Sequence, residues 1–156
     1  MTELELNIKY FVQSCNSVHE KRYYDAIKQA NEIIKKDRNA YYAYFPRAIS
    51  FQELNEQNNA IRDFKISLKE KVQVKAIKAG LAFSYMKKKN YIRAIILHLK
   101  VIKHFKDNFR INHNIGVNFF LLNFTSKGLY YINKSIELKP DFAEAYTTRG
   151  LIYFWL

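Results

Sequence analysis

Cysteine occurs once, as Cys15, so no disulfide can close within the chain and nothing points to an oxidising compartment. Proline occurs twice and glycine four times in 156 residues, which is too few for an all-β protein whose tight turns consume both. No stretch approaches the roughly 18 to 20 apolar residues of a membrane-spanning helix. The opening MTELELNIKYFV places Glu3 and Glu5 where a secretory leader carries Lys or Arg, and it holds no long apolar segment. A soluble, cytoplasmic protein in reducing surroundings is expected. Glycine-rich phosphate loops are missing. The four histidines, His19, His98, His104 and His113, include no pair four residues apart, and no convergent set of three or four ligands can be assembled for zinc. Acidic residues do not pair within apolar surroundings. Neither catalysis, nor a cofactor, nor a metal has support.

What the chain does have is apolar mass. Hydrophobic residues make up 49% and aromatics 16%, enough to exclude a disordered chain and to build the core of one domain. The net charge of +12 points either to an acidic partner or nucleic acid, or to the Lys, Asn, Ile, Tyr and Phe bias that AT-rich coding produces.

A period of 34 residues organises all of this. Stepping back from Ala143 gives units starting at 109, 75, 41 and 7 without insertion or deletion. Counting each start as position 1, position 8 reads Ser14, Ala48, Ala82, Gly116, Gly150, and position 20 reads Ala26, Ala60, Ala94, Gly128: all small. Position 21 reads Ile27, Ile61, Ile95, Leu129, and position 28 reads Ile34, Leu68, Ile102, Ile136. Position 11 is aromatic in Phe51, Tyr85, Phe119 and Tyr153, and Ser17 in the first unit. Small residues let two helices approach closely while large apolar ones fill the space beside them. Each unit therefore reads as a helical hairpin, helix A over positions 1 to 14 and helix B over 17 to 30, joined by turns such as NEQN (55–58) and KKKN (87–90). One hairpin cannot bury its own faces, so neighbours must stack.

This pattern resembles the tetratricopeptide repeat family. The nearest matches are AGLAFSYMKKKNYIRAI (79–95) and INKSIELKPDFAEAYTTRG (132–150). The resemblance covers about residues 7–156 and implies an all-α chain: an α-α superhelix, a right-handed solenoid of four repeats (7–40, 41–74, 75–108, 109–142) and a half-repeat (143–156), as a single domain over 1–156. The family's proline at position 32 survives only as Pro140, with Arg38, Val72 and Lys106 elsewhere. Pro46 falls at position 6 of the second helix A, where proline is tolerable only within a first turn, so that helix is predicted to start late, near Tyr44 or Phe45, or to kink. Thr2 and Glu5 form a capping box that sets the first helix to begin near Glu3. His98, at position 24, and Cys15 are read as packing residues.

The resemblance also implies a binding groove lined by helix A. Its positions correspond here to Tyr42, Phe45, Ile49, Gln52 and Glu53, then Ala76, Ala79, Phe83, Met86 and Lys87, then Arg110, His113, Val117, Phe120 and Leu121. Such a groove suits a protein or peptide partner with apolar anchors and an acidic group. The clamp with which some family members hold acidic C-terminal tails is absent: its Lys, Arg and Asn positions hold Phe11, Cys15, Pro46, Ala76 and Gly80. The third unit carries nine Lys or Arg against one Asp107, giving +8 of the +12. Lys87, Lys88, Lys89, Arg93, Lys100 and Lys103 form a basic patch, read either as a solvated outer face or as a docking surface for an acidic protein or for phosphates.

The sequence closes on LIYFWL, positions 9 to 14 of a further helix A. An apolar patch is expected around Leu151, Ile152, Phe154 and Trp155, serving a homodimer or partner interface, or marking a truncated array. A non-enzymatic interaction scaffold is the leading expectation. The alternatives are an RNA-binding helical repeat that uses the basic third unit, and a module of a larger enzyme or assembly.

Overall fold

The computed structural model describes residues 2–105 and 107–156. Among them the secondary structure is helical, with no strand. The helices are α1 (Glu3–His19), α2 (Tyr23–Lys36), α3 (Tyr44–Glu53), α4 (Gln57–Ser67), α5 (Val74–Lys87), α6 (Tyr91–Ile102), α7 (Phe109–Leu121), α8 (Thr125–Leu138) and α9 (Ala143–Phe154). Short 3₁₀ turns cover Tyr41–Ala43 and Leu68–Glu70. The starts of α2, α4, α6 and α8 fall 34 residues apart, as do those of α7 and α9.

Local chemistry explains the helix starts. Thr2 accepts the Glu5 amide at 3.2 Å, and the Glu5 carboxylate accepts the Thr2 amide at 2.7 Å. This closed capping box starts α1 at Glu3. The second hairpin opens with the 3₁₀ turn at Tyr41–Ala43, and α3 begins at Tyr44. Pro46 then sits in the first helical turn, where a missing amide costs no hydrogen bond.

The four turns inside the hairpins share one construction. Lys21, Asn55, Lys89 and Asn123, spaced by 34, all take left-handed backbone with φ near 60°. The amide after each reaches back to the carbonyl of position 11: Arg22 to Ser17 at 2.8 Å, Glu56 to Phe51 at 2.7 Å, Asn90 to Tyr85 at 2.9 Å and Phe124 to Phe119 at 2.9 Å. These are Schellman-type closures without the usual glycine. Of the residues that replace the family's proline, Arg38 and Val72 lie in exposed links, and Lys106 lies outside the described residues.

The chain divides into two units, one ending at Ser84 and the other beginning at Tyr85. In the first, α1 to α4 pack in succession around Ala26, Ala30, Ile33, Ala48, Ala60 and Phe64, all fully buried. Position 8 meets position 20 as the spacing requires, with the Ser14 hydroxyl donating to the Ala26 carbonyl at 2.9 Å. Arg47 and the fully buried Asp63 tie α3 to α4 through two hydrogen bonds, of 2.6 and 3.1 Å. In the second unit, α6 packs on α7, α7 on α8, and α8 on α9. A β-carbon on Gly128 would stand 3.1 Å from the Gly116 carbonyl, which shows how closely α7 and α8 approach.

Candidate functional site

Within the first unit the end of α3's 3₁₀ turn, the flank of α1, and the link between α4 and α5 enclose a cleft of about 230 Å³. Its apolar walls are Phe11, Tyr42, Phe45, Val72 and Ile77, and Ser67, Glu70 and Gln73 supply the polar rim. The Phe11 ring meets Tyr42 edge-on at 5.2 Å, and Phe45 leans on the buried Phe64 at 6.2 Å. Burial first, then the carboxylates of Asp37 and Glu70, push the Tyr42 phenol above its ordinary pKa, so it stays protonated and able to donate. Val72 is 59% exposed at the mouth. It is flanked by Lys71 and Gln73, both left-handed, at φ 58° and 50°. Backbone of this kind costs about 1–2 kcal/mol for a residue other than glycine.

Two of the residues expected to form a groove, Tyr42 and Phe45, line this cleft. Ile49, Ala79 and Phe83 are half-buried in the same unit. Gln52 is tied down, donating to the Gly80 carbonyl at 2.8 Å and the Ser84 hydroxyl at 2.6 Å. Three apolar walls were missed. Phe11 occupies the same repeat position as Phe45, so extending the rule to the first unit finds it. Ile77 falls at position 3, where Ala43, Ile111 and Ala145 are likewise apolar and buried, so the frame marks it as a core residue without marking the cleft, and Val72 carries no periodic signal.

In the second unit Met86 is half-buried and Lys87 exposed. Arg110 is exposed, with its guanidinium 5.4 Å from the Phe109 ring. His113 meets Phe142 edge-on at 5.2 Å and lies 3.0 Å from the Thr148 hydroxyl. Burial holds its pKa below the usual imidazole value. Val117 and Phe120 pack against the buried Ile132, Ala145 and Ile152. Here the expected groove positions seat α9.

All six residues of the basic patch, Lys87, Lys88, Lys89, Arg93, Lys100 and Lys103, are exposed, and the Arg93 guanidinium lies 5.6 Å from the Tyr85 ring. Among the described residues no cluster of His, Cys, Asp or Glu could hold a metal ion, and no helix is long and apolar enough to cross a membrane. Cys15, read as a packing residue, is instead exposed on α1. The C-terminal expectation needs one correction. Ile152 is fully buried, two turns from Ala145 on the stripe of α9 that faces α8, and it belongs to the core. Leu151, Phe154 and Trp155 are exposed, and Tyr153 and Leu156 join them.

No protein-family model matches the chain, and no curated protein matches it by sequence. Solved structures do. A crystal structure of MamA protein is 18% identical, with a TM-score of 0.82, covering 96% of this chain and 81% of that one. Residues 41 to the end of MamA from Desulfovibrio magneticus RS-1 superpose with a TM-score of 0.84 at 16% identity, covering 94% of this chain and 83% of that one. YrrB, described as a TPR protein with an unusual peptide-binding site, gives 0.80 at 14% identity, over 94% of this chain and 75% of its own.

Proposed function

Since the chain has the tetratricopeptide repeat fold, we propose that it is a non-enzymatic interaction scaffold that holds an apolar side chain of a partner peptide or helix in the Phe11–Tyr42–Phe45 cleft. The observation that carries this reading is the cleft itself. Five apolar walls converge on it, and at about 230 Å³ it falls below the roughly 300–1,000 Å³ of sites that take whole small ligands. A single anchoring side chain suits it better. Tyr42 can donate a hydrogen bond to the partner's backbone at the mouth. The left-handed pair Lys71 and Gln73, on either side of Val72, adds support, because strained backbone tends to persist where function needs a fixed edge.

Selection of short peptides from a random display library tests the proposal. Binders with a large apolar anchor are expected from the unaltered protein. Val72→Glu places a charge at an already exposed rim position, so the fold survives while the selected peptides lose at least tenfold in affinity. Charge reversal of Lys87, Lys88 and Lys89 leaves them bound. Peptides that bind Val72→Glu as tightly as the parent would reject the cleft.

A further inference from the structure

The outer faces of α6 and α8 repeat one arrangement. Position 22 of the frame is exposed in all four hairpins, as Lys28, Arg62, Ile96 and Tyr130, so its exposure is a property of this face at every repeat. Polar side chains fill it in the first two hairpins. In the other two it is apolar: Ile96 is 48% exposed and Tyr130 59%, and Ile92, one turn before Ile96, is 62% exposed. Cations flank both, at positions 19 and 26: Arg93 and Lys100 around Ile96, Lys127 and Lys134 around Tyr130.

The cations at position 19 rest on aromatic rings. The Arg93 guanidinium lies 5.6 Å from the Tyr85 ring and the Lys127 Nζ 5.7 Å from the Phe119 ring, and both rings hold position 11. Lys127 also stands 5.6 Å from the ring of Phe124, which is 54% exposed. Such contacts steady a flexible side chain while its charge faces water. α6 and α8 both pack on α7, one repeat apart, so the two stripes present toward the same side. The two helices together carry a single acidic residue, Glu137 near the end of α8, and the turn before α6 adds Lys87, Lys88 and Lys89. In α2 the corresponding positions alternate in sign, as Asp25, Lys28, Glu32 and Lys35. In α4 no exposed apolar residue stands between Arg62 and Lys69. The arrangement is particular to the second unit.

We propose that this face of α6 and α8 docks on the surface of an anionic lipid bilayer, with headgroup phosphates taking the cations and the acyl boundary taking Ile92, Ile96, Phe124 and Tyr130. Each cation near an anionic leaflet adds attraction, and apolar tips standing among cations reach the boundary between headgroups and chains. Nucleic acid would meet the same cations. Its bases, however, stack on ring faces, which the aliphatic Ile92 and Ile96 do not have, and Lys127 already stands over the rings of Phe119 and Phe124. The contact is peripheral, since no described helix is long and apolar enough to cross a membrane. This face shares no residue with the cleft proposed above, and neither proposal rests on the other.

Co-sedimentation of the full chain with lipid vesicles tests this. Vesicles of phosphatidylcholine with about one-third phosphatidylserine should bind at least about tenfold more tightly than phosphatidylcholine alone. Ile92→Ser with Ile96→Ser, both at exposed positions so that the fold survives, should weaken binding about tenfold. Lys100→Gln with Lys127→Gln should weaken it at least about tenfold. Lys28→Gln with Lys35→Gln removes the same charge from α2 and should shift it by less than about twofold. Val72→Glu leaves vesicle binding in place, so the cleft and this face fail separately. No binding to the anionic vesicles, equal binding to neutral ones, or an isoleucine variant that binds like the parent overturns the proposal. Equal losses from the two lysine pairs do the same, since net charge alone would then explain the binding. So does an oligouridylate that binds more tightly than the vesicles and ignores the isoleucines, because the occupant would then be nucleic acid.

Discussion

His98 lies on α6 with 1% of its surface exposed, and its Nδ1 has no hydrogen-bond partner among the described residues. Burial lowers its pKa to about 4. The folded protein therefore keeps His98 neutral where the unfolded chain, near 6.5, already binds a proton. Between those values the unfolded state holds more protons, so stability is complete above about pH 6.5 and drains away as pH falls toward 4. His98 alone should make the protein about 2 kcal/mol less stable at pH 5 than at pH 7.5. Urea denaturation of His98→Phe at the two pH values checks this: the variant should lose most of the difference. His113, also lowered by burial, supplies a remainder of the same sign. That His98 belongs to the core follows from its place in the 34-residue frame. Its orphaned nitrogen does not, because periodicity predicts which side chains face inward and says nothing of which atoms find partners. Asn118, fully buried with its amide unpartnered among the described residues, is a second case, and the structure offers no account of it.

Helices were the most legible elements. Spacing alone placed the two helices of each hairpin, because small and large residues recur in step, and Thr2 and Pro46 marked the two irregular starts. The left-handed turns were not legible, since two of the four carry Lys, a residue with no preference for that backbone. The frame also separates glycines that composition treats alike. Gly116 and Gly150 both occupy position 8. A β-carbon on Gly116 would stand 2.8 Å from Ile132 and 2.9 Å from the Gly128 carbonyl, whereas on Gly150 it meets nothing. Gly116→Ala should therefore destabilise by about 1–3 kcal/mol through overpacking. Gly150→Ala should stabilise by up to about 1 kcal/mol through helix propensity. Thermal melts of the two variants should move in opposite directions. Equal shifts would show that α7 and α8 do not meet as closely as the geometry states.

At the scale of the whole molecule, charge is the dominant feature. With +12 spread over 156 residues, self-repulsion opposes the compact state, and salt screens it over a Debye length of about 10 Å at 0.1 M. The ion pair in the core, Arg47 with Asp63, is largely shielded from that screening. Raising sodium chloride from about 10 to about 150 mM should raise the melting temperature by a few degrees, whereas a fall would mean that surface pairs outweigh repulsion. The candidate site was half legible. Tyr42 and Phe45 follow from the frame, but Val72 lines the cleft only because an irregular link folds back, and that fold depends on backbone conformations no pattern of side chains announces.

The chain uses glycine against custom. All four glycines lie inside helices, while Lys21, Asn55, Lys89 and Asn123 hold the left-handed turns. This sets where the sequence is free to drift. At the turns a glycine or asparagine is always an acceptable neighbour in sequence space, so related chains should interchange Lys, Asn and Gly there. At positions 80 and 116, where a β-carbon would stand under 3 Å from Phe64 or from Ile132 and the Gly128 carbonyl, substitution is closed unless a second change opens room, and descent should leave those two glycines nearly untouched.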